Sequence, residues 1–449
     1  MTDLELSNSL KYTKRTKGRF WDVSSFIRYS SLPETLVIYS DSSNYSDIFQ
    51  DLSRSQFFTK NGTNFILPIL NSYIQFDFDI ALALDGLNSD LEKPGLTDSV
   101  RNELKSNSLV SQLTPRYTYR KDRFYLSLSA PIIYNLLNVK DKQNNTDNSF
   151  SRLKINPSAS VKFTFSSFLD AQLQGRIDTR IGDITDFTQS FIQTDYRNLR
   201  FKSGILAETK TSSGSLRITY KNPLIGFFWY LSGMYSGRKY NQMSQQNFDS
   251  STGISGNYEK GTSSQTLMFS GNASKNLRFI NSTISLSASY NSIASQRRQQ
   301  DVVYPSTTDS WEISPRINSR IAQSLIVSYN ARFSGSKMRI GSVRQGFGYN
   351  QMQTAHLLRI VFLPVKSAEI EFGSEYARNK GENPTFDDEL FFSDMRFSYK
   401  LKQIELGLNL NNLFNQKEFV QKSFSGLDSR QTTTFYRPRK FLFVVAFKY

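Results

Sequence analysis

Cysteine is missing from all 449 residues, and histidine occurs once, at position 356. The first absence removes disulfides, thiolate zinc sites and thiol nucleophiles. The second leaves no histidine-based metal cluster within one chain, and no cofactor is expected. Long apolar runs are absent as well. Stretches such as Leu224-Ile-Gly-Phe-Phe-Trp-Tyr-Leu231 fall far short of the roughly 20 residues of a spanning helix. The opening residues, MTDLELSNSLKYTKR, lack the apolar core of a signal peptide. Hydrophobic residues reach only 38% and the mean hydropathy is −0.45. Aromatics, however, make up 14%, with 36 Phe and 23 Tyr, which is unlike a disordered chain.

What is present is alternation with a period of two. Ile74, Phe76, Phe78, Ile80, Leu82 and Leu84 are interleaved with Gln75, Asp77, Asp79, Ala81, Ala83 and Asp85. Successive side chains of a strand point to opposite faces, so this segment has one apolar and one polar or small face. The pattern recurs at Ile155–Phe165, Leu173–Ile181, Ile284–Tyr290, Leu325–Phe333, Ile370–Tyr376 and Ile404–Leu410. No amphipathic helix of ordinary length is legible.

The connections fall into two classes. Short turns are expected at Arg120–Arg123, Lys221–Pro223, Lys275–Leu277, Ala322–Ser324, Leu363–Lys366 and Lys400–Lys402. Long polar loops are expected near 135–151, 184–212, 239–262, 294–308, 379–388 and 416–433. Short turns at one end and long loops at the other are the pattern of an outer-membrane barrel. The fold expected is therefore all-β: a large antiparallel transmembrane β-barrel with short periplasmic turns and long extracellular loops. About 19 strands can be counted. Strands longer than about 12 residues, and the lack of a blade-length repeat, argue against a soluble sandwich or propeller. Tyr117 with Tyr119, Tyr134, Phe228 with Tyr230, and Phe397 with Tyr399 stand where interfacial girdles are expected. Lys154-Ile-Asn-Pro-Ser158 and Glu312-Ile-Ser-Pro-Arg316 each read as the start of a strand running toward the short turns.

The chain ends on Phe435-Tyr-Arg-Pro-Arg-Lys-Phe-Leu-Phe-Val-Val-Ala-Phe-Lys-Tyr449. Phe441, Phe443, Val445, Phe447 and Tyr449 share one face. A final strand of this kind resembles the C-terminal signal read by the barrel-assembly machinery. Together with Asn412-Leu-Phe-Asn415 and Tyr436-Arg-Pro-Arg439, it resembles the end of TonB-dependent receptors, in particular the outer-membrane β-barrel family common in Bacteroidota. Leu153–Ser158, Tyr220–Leu224 and Asp388–Ser393 are similar in style. The likeness extends over essentially the whole chain, most strongly from about 150 to 449.

That resemblance implies a plugged barrel of 22 strands. It also implies energised uptake of a large scarce nutrient in the outer membrane of a Gram-negative bacterium, with TonB acting through the plug. The family's signal peptide, plug and TonB-contacting segment are not visible. The first candidate strand, near 3–14, would run toward the short turns, and three strands added to 19 would restore 22. The expectation is that 1–449 is the barrel portion of a truncated or split receptor, with 1–70 its least regular part and 33–69 alternating poorly. A surface lipoprotein is a further possible partner of such receptors. The alternative is a plug-less, porin-like or structural barrel.

Candidate ligand contacts are Tyr196 and Arg197 in one loop, Arg238, Tyr240 and Tyr258 in another, and Arg297 and Arg298 in a third. Aromatic residues and arginine are the usual anchors of binding patches. The lumen is expected to carry both signs, with Asp77, Asp79, Glu369 and Glu371 against Arg176, Arg180 and Arg332. The net charge of +16 raises nucleic-acid binding by a soluble basic β-protein as a third reading. The basic residues are scattered rather than clustered, so no nucleic-acid partner is expected, and several suit turns beside anionic lipid head groups. Enzyme chemistry is not expected. His356 shares a face with Met352, Leu358 and Ile360. Gly256-Asn-Tyr-Glu-Lys-Gly261-Thr262 lacks the lysine of a phosphate loop.

Overall fold

The computed structural model describes residues 3–16, 19–39, 47–92, 100–195, 198–249, 252–341, 347–381, 388–425 and 428–447. Strands dominate. In chain order they are β1 (Leu4–Thr16), β2 (Arg19–Ile38), β3 (Ile48–Ile69), β4 (Ser72–Glu92), β5 (Val100–Lys121), β6 (Phe124–Ser129), β7 (Ile132–Asp141), β8 (Thr146–Ile155), β9 (Ser158–Thr164) and β10 (Leu169–Ile181). Then follow β11 (Ile192–Asp195), β12 (Asn198–Arg200), β13 (Glu208–Asn222), β14 (Phe227–Tyr240), β15 (Met243–Asp249), β16 (Thr252–Tyr258), β17 (Thr262–Leu277), β18 (Ser282–Gln299) and β19 (Val302–Ala322). The last are β20 (Leu325–Ile340), β21 (Phe347–Val365), β22 (Ala368–Gly381), β23 (Asp388–Leu401), β24 (Ile404–Asn411), β25 (Glu418–Ser425), β26 (Asp428–Phe435) and β27 (Lys440–Phe447).

Twenty-five of these form one sheet, and β25 with β26 form a separate hairpin. Within the sheet, β11, β12, β15 and β16 belong to outer connections. β6/β7 and β8/β9 are each one wall strand, broken at Pro131 and Pro157, which cannot donate to the ladder. That leaves the expected 19 wall strands, each antiparallel to the next. This is the large antiparallel barrel that the alternation implies. β1 and β27 both run toward the short-turn end, so direct pairing of the two would be parallel. Among the described residues, each pairs on one edge only.

The face assignments follow from register. Ile74, Phe76 and Phe78 of β4 lie opposite Tyr117, Pro115 and Leu113 of β5, and all six belong to the apolar face. The alternate face holds the charges and pairs them across strands: Lys60 with Asp79 at 3.5 Å, Arg116 with Asp77 at 4.0 Å, Arg359 with Glu371 at 2.6 Å, and Arg332 with Glu312 at 3.8 Å. Ion pairs need water or partners, whereas hydrocarbon accepts neither a bare charge nor an unpaired backbone group. The charged face is therefore the lumen and the apolar face meets lipid. No described helix is long and apolar enough to cross a membrane.

Short turns stand at all six expected places, within a few residues. Several use left-handed backbone at a polar residue: Asp122 has φ 47° and Asn281 φ 44°, conformations that Asp and Asn tolerate better than most side chains. The described parts of the irregular segment 33–69 are almost entirely strand as well. β2 continues to Ile38, and β3 pairs with it from Ile48↔Ile38 to Ile66↔Phe20.

The opposite end corrects several expectations. Segment 135–151 is not a loop, because β7 and β8 continue through it and only residues 142–145 turn. Segment 294–308 is strand too: β18 and β19 meet at Gln300 and Asp301, with φ 45° and 63°. Segments 239–262 and 416–433 hold the hairpins β15/β16 and β25/β26. The physical reason is common to all. Beyond the hydrocarbon both faces of a strand are wet, so the hydrophobic alternation stops while backbone pairing does not.

Two finer readings also shift. Phe228 and Tyr230 lie on the lumen face, where the Arg217 guanidinium sits 4.3 Å from the Tyr230 ring centre. The lipid-facing aromatics there are Phe227 and Trp229, the latter stacked on Tyr220 at 6.0 Å. Residues 224–231 are apolar on both faces, so alternation does not give their phase. Tyr117, Tyr119, Tyr134, Phe397 and Tyr399 do share the apolar face. Pro315 lies inside the 21-residue β19 rather than at its start, and the β19–β20 ladder steps over it between Ile313↔Phe333 and Arg316↔Asn330.

Candidate ligand site at the outer mouth

The connection from β10 to β13 does not stand free above the rim. It turns back into the lumen. Its 3-10 turn, Ile184–Phe187, seats Ile184 and Phe187 on Leu87, Leu104, Leu137 and Val139. Those four lie on the lumen face of β4, β5 and β7, in register with one another: Leu87↔Leu104, Ser106↔Val139 and Ser108↔Leu137. Ile184 is 0% exposed and Phe187 2%, so the seating is complete and contributes about 1.5–3 kcal/mol for each buried side chain.

Two side chains of the wall then pin the backbone of this connection. Gln50 Nε2 donates to the Gln193 carbonyl at 2.9 Å, and Gln193 N–H donates back to Gln50 Oε1 at 2.6 Å. Asn102 does the same with Ser190, at 3.3 and 3.1 Å. Both wall residues are buried, so each bond replaces water that the site excludes. Asp183 faces Arg54 of β3 at 3.6 Å. Asp186 is buried, accepts from Ala207 N–H at 3.0 Å, and pairs with Lys202 at 3.5 Å. On the far side, Asn241 donates to the Leu206 carbonyl at 2.8 Å and accepts from Glu208 N–H at 2.7 Å.

The pinned connection walls off a cavity of about 690 Å³. Its remaining walls are the outer ends of β13, β14, β17 and β18 and the β15/β16 hairpin. This hairpin continues the sheet: β15 runs parallel to the tip of β18 at Gln245↔Arg298, and β16 runs parallel to β12. Gly256 of β16 passes so close to Phe201 that a Cβ would fall 2.5 Å from the ring. Packing therefore accounts for this glycine of the phosphate-loop mimic.

Four of the expected ligand contacts, Arg238, Tyr240, Arg297 and Arg298, line this one cavity, although they come from separate connections. Tyr258 stands at its edge, with the Arg298 guanidinium 4.0 Å from its ring centre. Tyr196 and Arg197 lie outside the described residues. Three lining residues that sequence reasoning missed are Arg200, Lys202 and Glu208.

The receptor-like end of the sequence has a structural explanation. Asn412 and Asn415 take left-handed backbone, φ 55° and 54°. Asn412 is buried; it donates to the carbonyls of Gln416 and Arg437 at 2.8 and 2.9 Å and accepts from Gln416 N–H at 2.7 Å. Asn415 Oδ1 accepts from Arg439 N–H at 3.0 Å. The two asparagines thus tie the exit of β24 to the entry of β27. Phe441, Phe443, Val445 and Phe447 then lie opposite Leu410, Leu408, Leu406 and Ile404 on the lipid face. Tyr449 lies outside the described residues. His356 also faces lipid, sharing a 2.7 Å hydrogen bond with Tyr329 and packing against Phe333 and Tyr376.

Fold and mouth together define a large β-barrel of the outer-membrane type. No protein-family model matches the sequence, and no curated protein matches it. Solved structures do. The chain is similar to a structure described as the copper transporter OprC, at 9% identity over 99% of this chain and 82% of that one, with a TM-score of 0.42. It is similar to the FrpB iron transporter from Neisseria meningitidis, at 9% identity over 93% and 68% with a TM-score of 0.38. A siderophore receptor, PiuA from Acinetobacter baumannii, matches at 10% identity over 100% and 82% with a TM-score of 0.28.

Proposed function

We propose that this chain is the barrel of an outer-membrane receptor of the TonB-dependent kind, which takes up a large scarce nutrient in a Gram-negative bacterium. The observation that carries the reading is the outer mouth: a polar cavity on the lumen face, roofed by connections held in place rather than left free. Large hydrophilic solutes are captured at such a mouth before they pass into the lumen. The Bacteroidota-type ending, Asn412–Asn415 with Tyr436–Arg439, supports the same family. The proposed partners are outer-membrane lipid along the apolar face, the barrel-assembly machinery at the Phe441–Tyr449 strand, TonB through a plug, and a surface lipoprotein.

Cell fractionation and gel mobility test this. The protein should sediment with the outer membrane, and the unboiled folded form should migrate differently from the boiled form on detergent gels. A cytosolic protein of unchanged mobility would end the reading. A second reading, a porin-like channel, is favoured by one observation: the barrel carries its own inward-folded connection. The two differ in energy coupling, since uptake by a receptor stops when TonB is removed and flux through a channel continues.

A further inference from the structure

The mouth cavity is polar, and its charges do not balance. Among the described residues five cations line it, Arg200, Lys202, Arg238, Arg297 and Arg298, against one acid, Glu208. Three of these six charges are already satisfied. Lys202 is held by Asp186 at 3.5 Å, Glu208 by Arg152 at 3.7 Å, and Arg298 by Asp301 at 3.0 Å. Arg298 is further fixed by donating to Gln245 Oε1 at 2.9 Å. Arg200, Arg238 and Arg297 form no ion pair with any described carboxylate, although all three line the same cavity. They come from different elements: β12, the outer end of β14, and the outer end of β18.

Register shows that this convergence is built. Arg238 lies opposite Ser264 of β17, and β17 pairs in turn with β18, whose Arg297 lies beyond the Gln265↔Ala294 pair. Two strand spacings of roughly 4.8 Å each therefore separate the β14 and β18 columns, about the reach of two guanidinium groups toward one small ligand. Arg200 closes the third side from the pinned connection. Like charges gathered around one cavity repel each other, so this arrangement favours the empty site least and an anion-filled site most. Guanidinium forks suit phosphate and carboxylate oxygens, which they bind in pairs. The rest of the lining is mostly Ser, Thr, Asn and Gln, which set neutral hydrogen-bonding groups beside the three guanidinium groups.

We propose that this cavity holds the anionic part of a hydrophilic solute, a part carrying at least two phosphate or carboxylate groups, through Arg200, Arg238 and Arg297. The site rests on the receptor reading for its purpose but not for its chemistry. Its cavity opens on the lumen face, so the anion comes from solution rather than from the phosphates of the surrounding leaflet. A volume of about 690 Å³ lies within the usual range for small-molecule sites.

Titration calorimetry of the purified, detergent-folded full chain tests this, with tripolyphosphate and propane-1,2,3-tricarboxylate as anionic probes and maltohexaose as a neutral one. Saturable binding of one or both anions is expected, weakening as salt is raised. In the Arg238→Gln/Arg297→Gln double variant, affinity should fall by at least about tenfold, as expected for losing charge-assisted hydrogen bonds. Maltohexaose should not bind. Equal affinity in wild type and variant overturns the proposal, as does the absence of saturable anion binding. Binding of lipopolysaccharide that depends on the two arginines, without binding of either soluble anion, also overturns it and assigns them to lipid phosphate. Heat-modifiability, measured on the same samples, separates the two ideas. A folded membrane barrel that ignores anions loses only this site. A soluble protein that binds tripolyphosphate through Arg238 and Arg297 keeps the site and loses the receptor.

Discussion

Phe78→Arg is expected to destabilise the barrel by about 2–4 kcal/mol, the cost of an arginine at the bilayer midplane on a lipid-facing position. Phe78 lies on the apolar face of β4, opposite Thr63 of β3 and Leu113 of β5. It is the seventh residue of β4, counted from the short-turn end. A spanning strand needs about 9–11 residues, which places position 78 near the centre. Ala83→Arg makes the matching control. Ala83 belongs to the lumen face with Asp79 and Asp85, and lies opposite Phe58 and Ser108. An arginine there meets water and carboxylates, so the change should stay within about 0.5 kcal/mol, as for an ordinary surface substitution. Urea unfolding in lipid vesicles reads both. The reverse order of costs would exchange lumen for lipid and undo the face assignment.

The second large effect concerns the inward-folded connection. Phe187→Asp places a charge in the apolar seat formed by Leu87, Leu104, Leu137 and Val139. Losing the aromatic ring alone costs about 3–5 kcal/mol, and the unpaired carboxylate adds to that. The wall strands keep their own ladders, so the cost falls on the connection and not on the barrel. Trypsin cleavage of the folded protein at Arg200 or Lys202 should therefore rise at least tenfold, while heat-modifiability persists. Lys202 is now held by the buried Asp186, and Phe201 packs on Phe191 at 5.6 Å; both contacts are internal to the connection, whose order depends on the seat that Phe187 fills. In planar bilayers the same variant should conduct in larger and noisier steps. Cleavage and conductance equal to those of the wild type would mean that Phe187 does not hold the connection.

How much of this was legible follows from where water stands. Within the hydrocarbon band, alternation reports directly on facing, so β4, β9, β18 and β24 read correctly from residues alone. The strand count and the sites of the short turns follow from the same signal. Above the band the signal ends, and residues such as Ser295 and Ser306, paired in β18 and β19, look like loop although they lie in strand. At 224–231 the opposite failure occurs, because apolar residues on both faces hide the phase.

The mouth was legible only in part. Arginine and tyrosine flagged Arg238, Tyr240, Arg297 and Arg298 as anchors, but nothing local says that separate connections meet at one cavity. That meeting depends on pairing between β15 and β18 and between β12 and β16, contacts distant in sequence. The inward fold did leave a trace. Ile184, Phe187, Phe191, Ile192, Leu199, Phe201, Ile205 and Leu206 interrupt a stretch otherwise as polar as a solvated loop. A loop standing in water has no use for eight large apolar side chains, and that excess marks a segment with a surface to cover. Gln50 and Asn102, which pin it, look like ordinary polar strand residues and carry no such mark.

The most direct measurement of the central claim is a spin-label scan of single cysteines through positions 74–84 in lipid vesicles, made simple by a native chain without cysteine. Labels at 74, 76, 78, 80, 82 and 84 should be relaxed by oxygen, which concentrates in hydrocarbon. Labels at 75, 77, 79, 81 and 83 should be relaxed by a water-soluble nickel complex. An accessibility without this two-residue period, or one with the even positions wet, would contradict a barrel whose Ile, Leu and Phe rows face lipid.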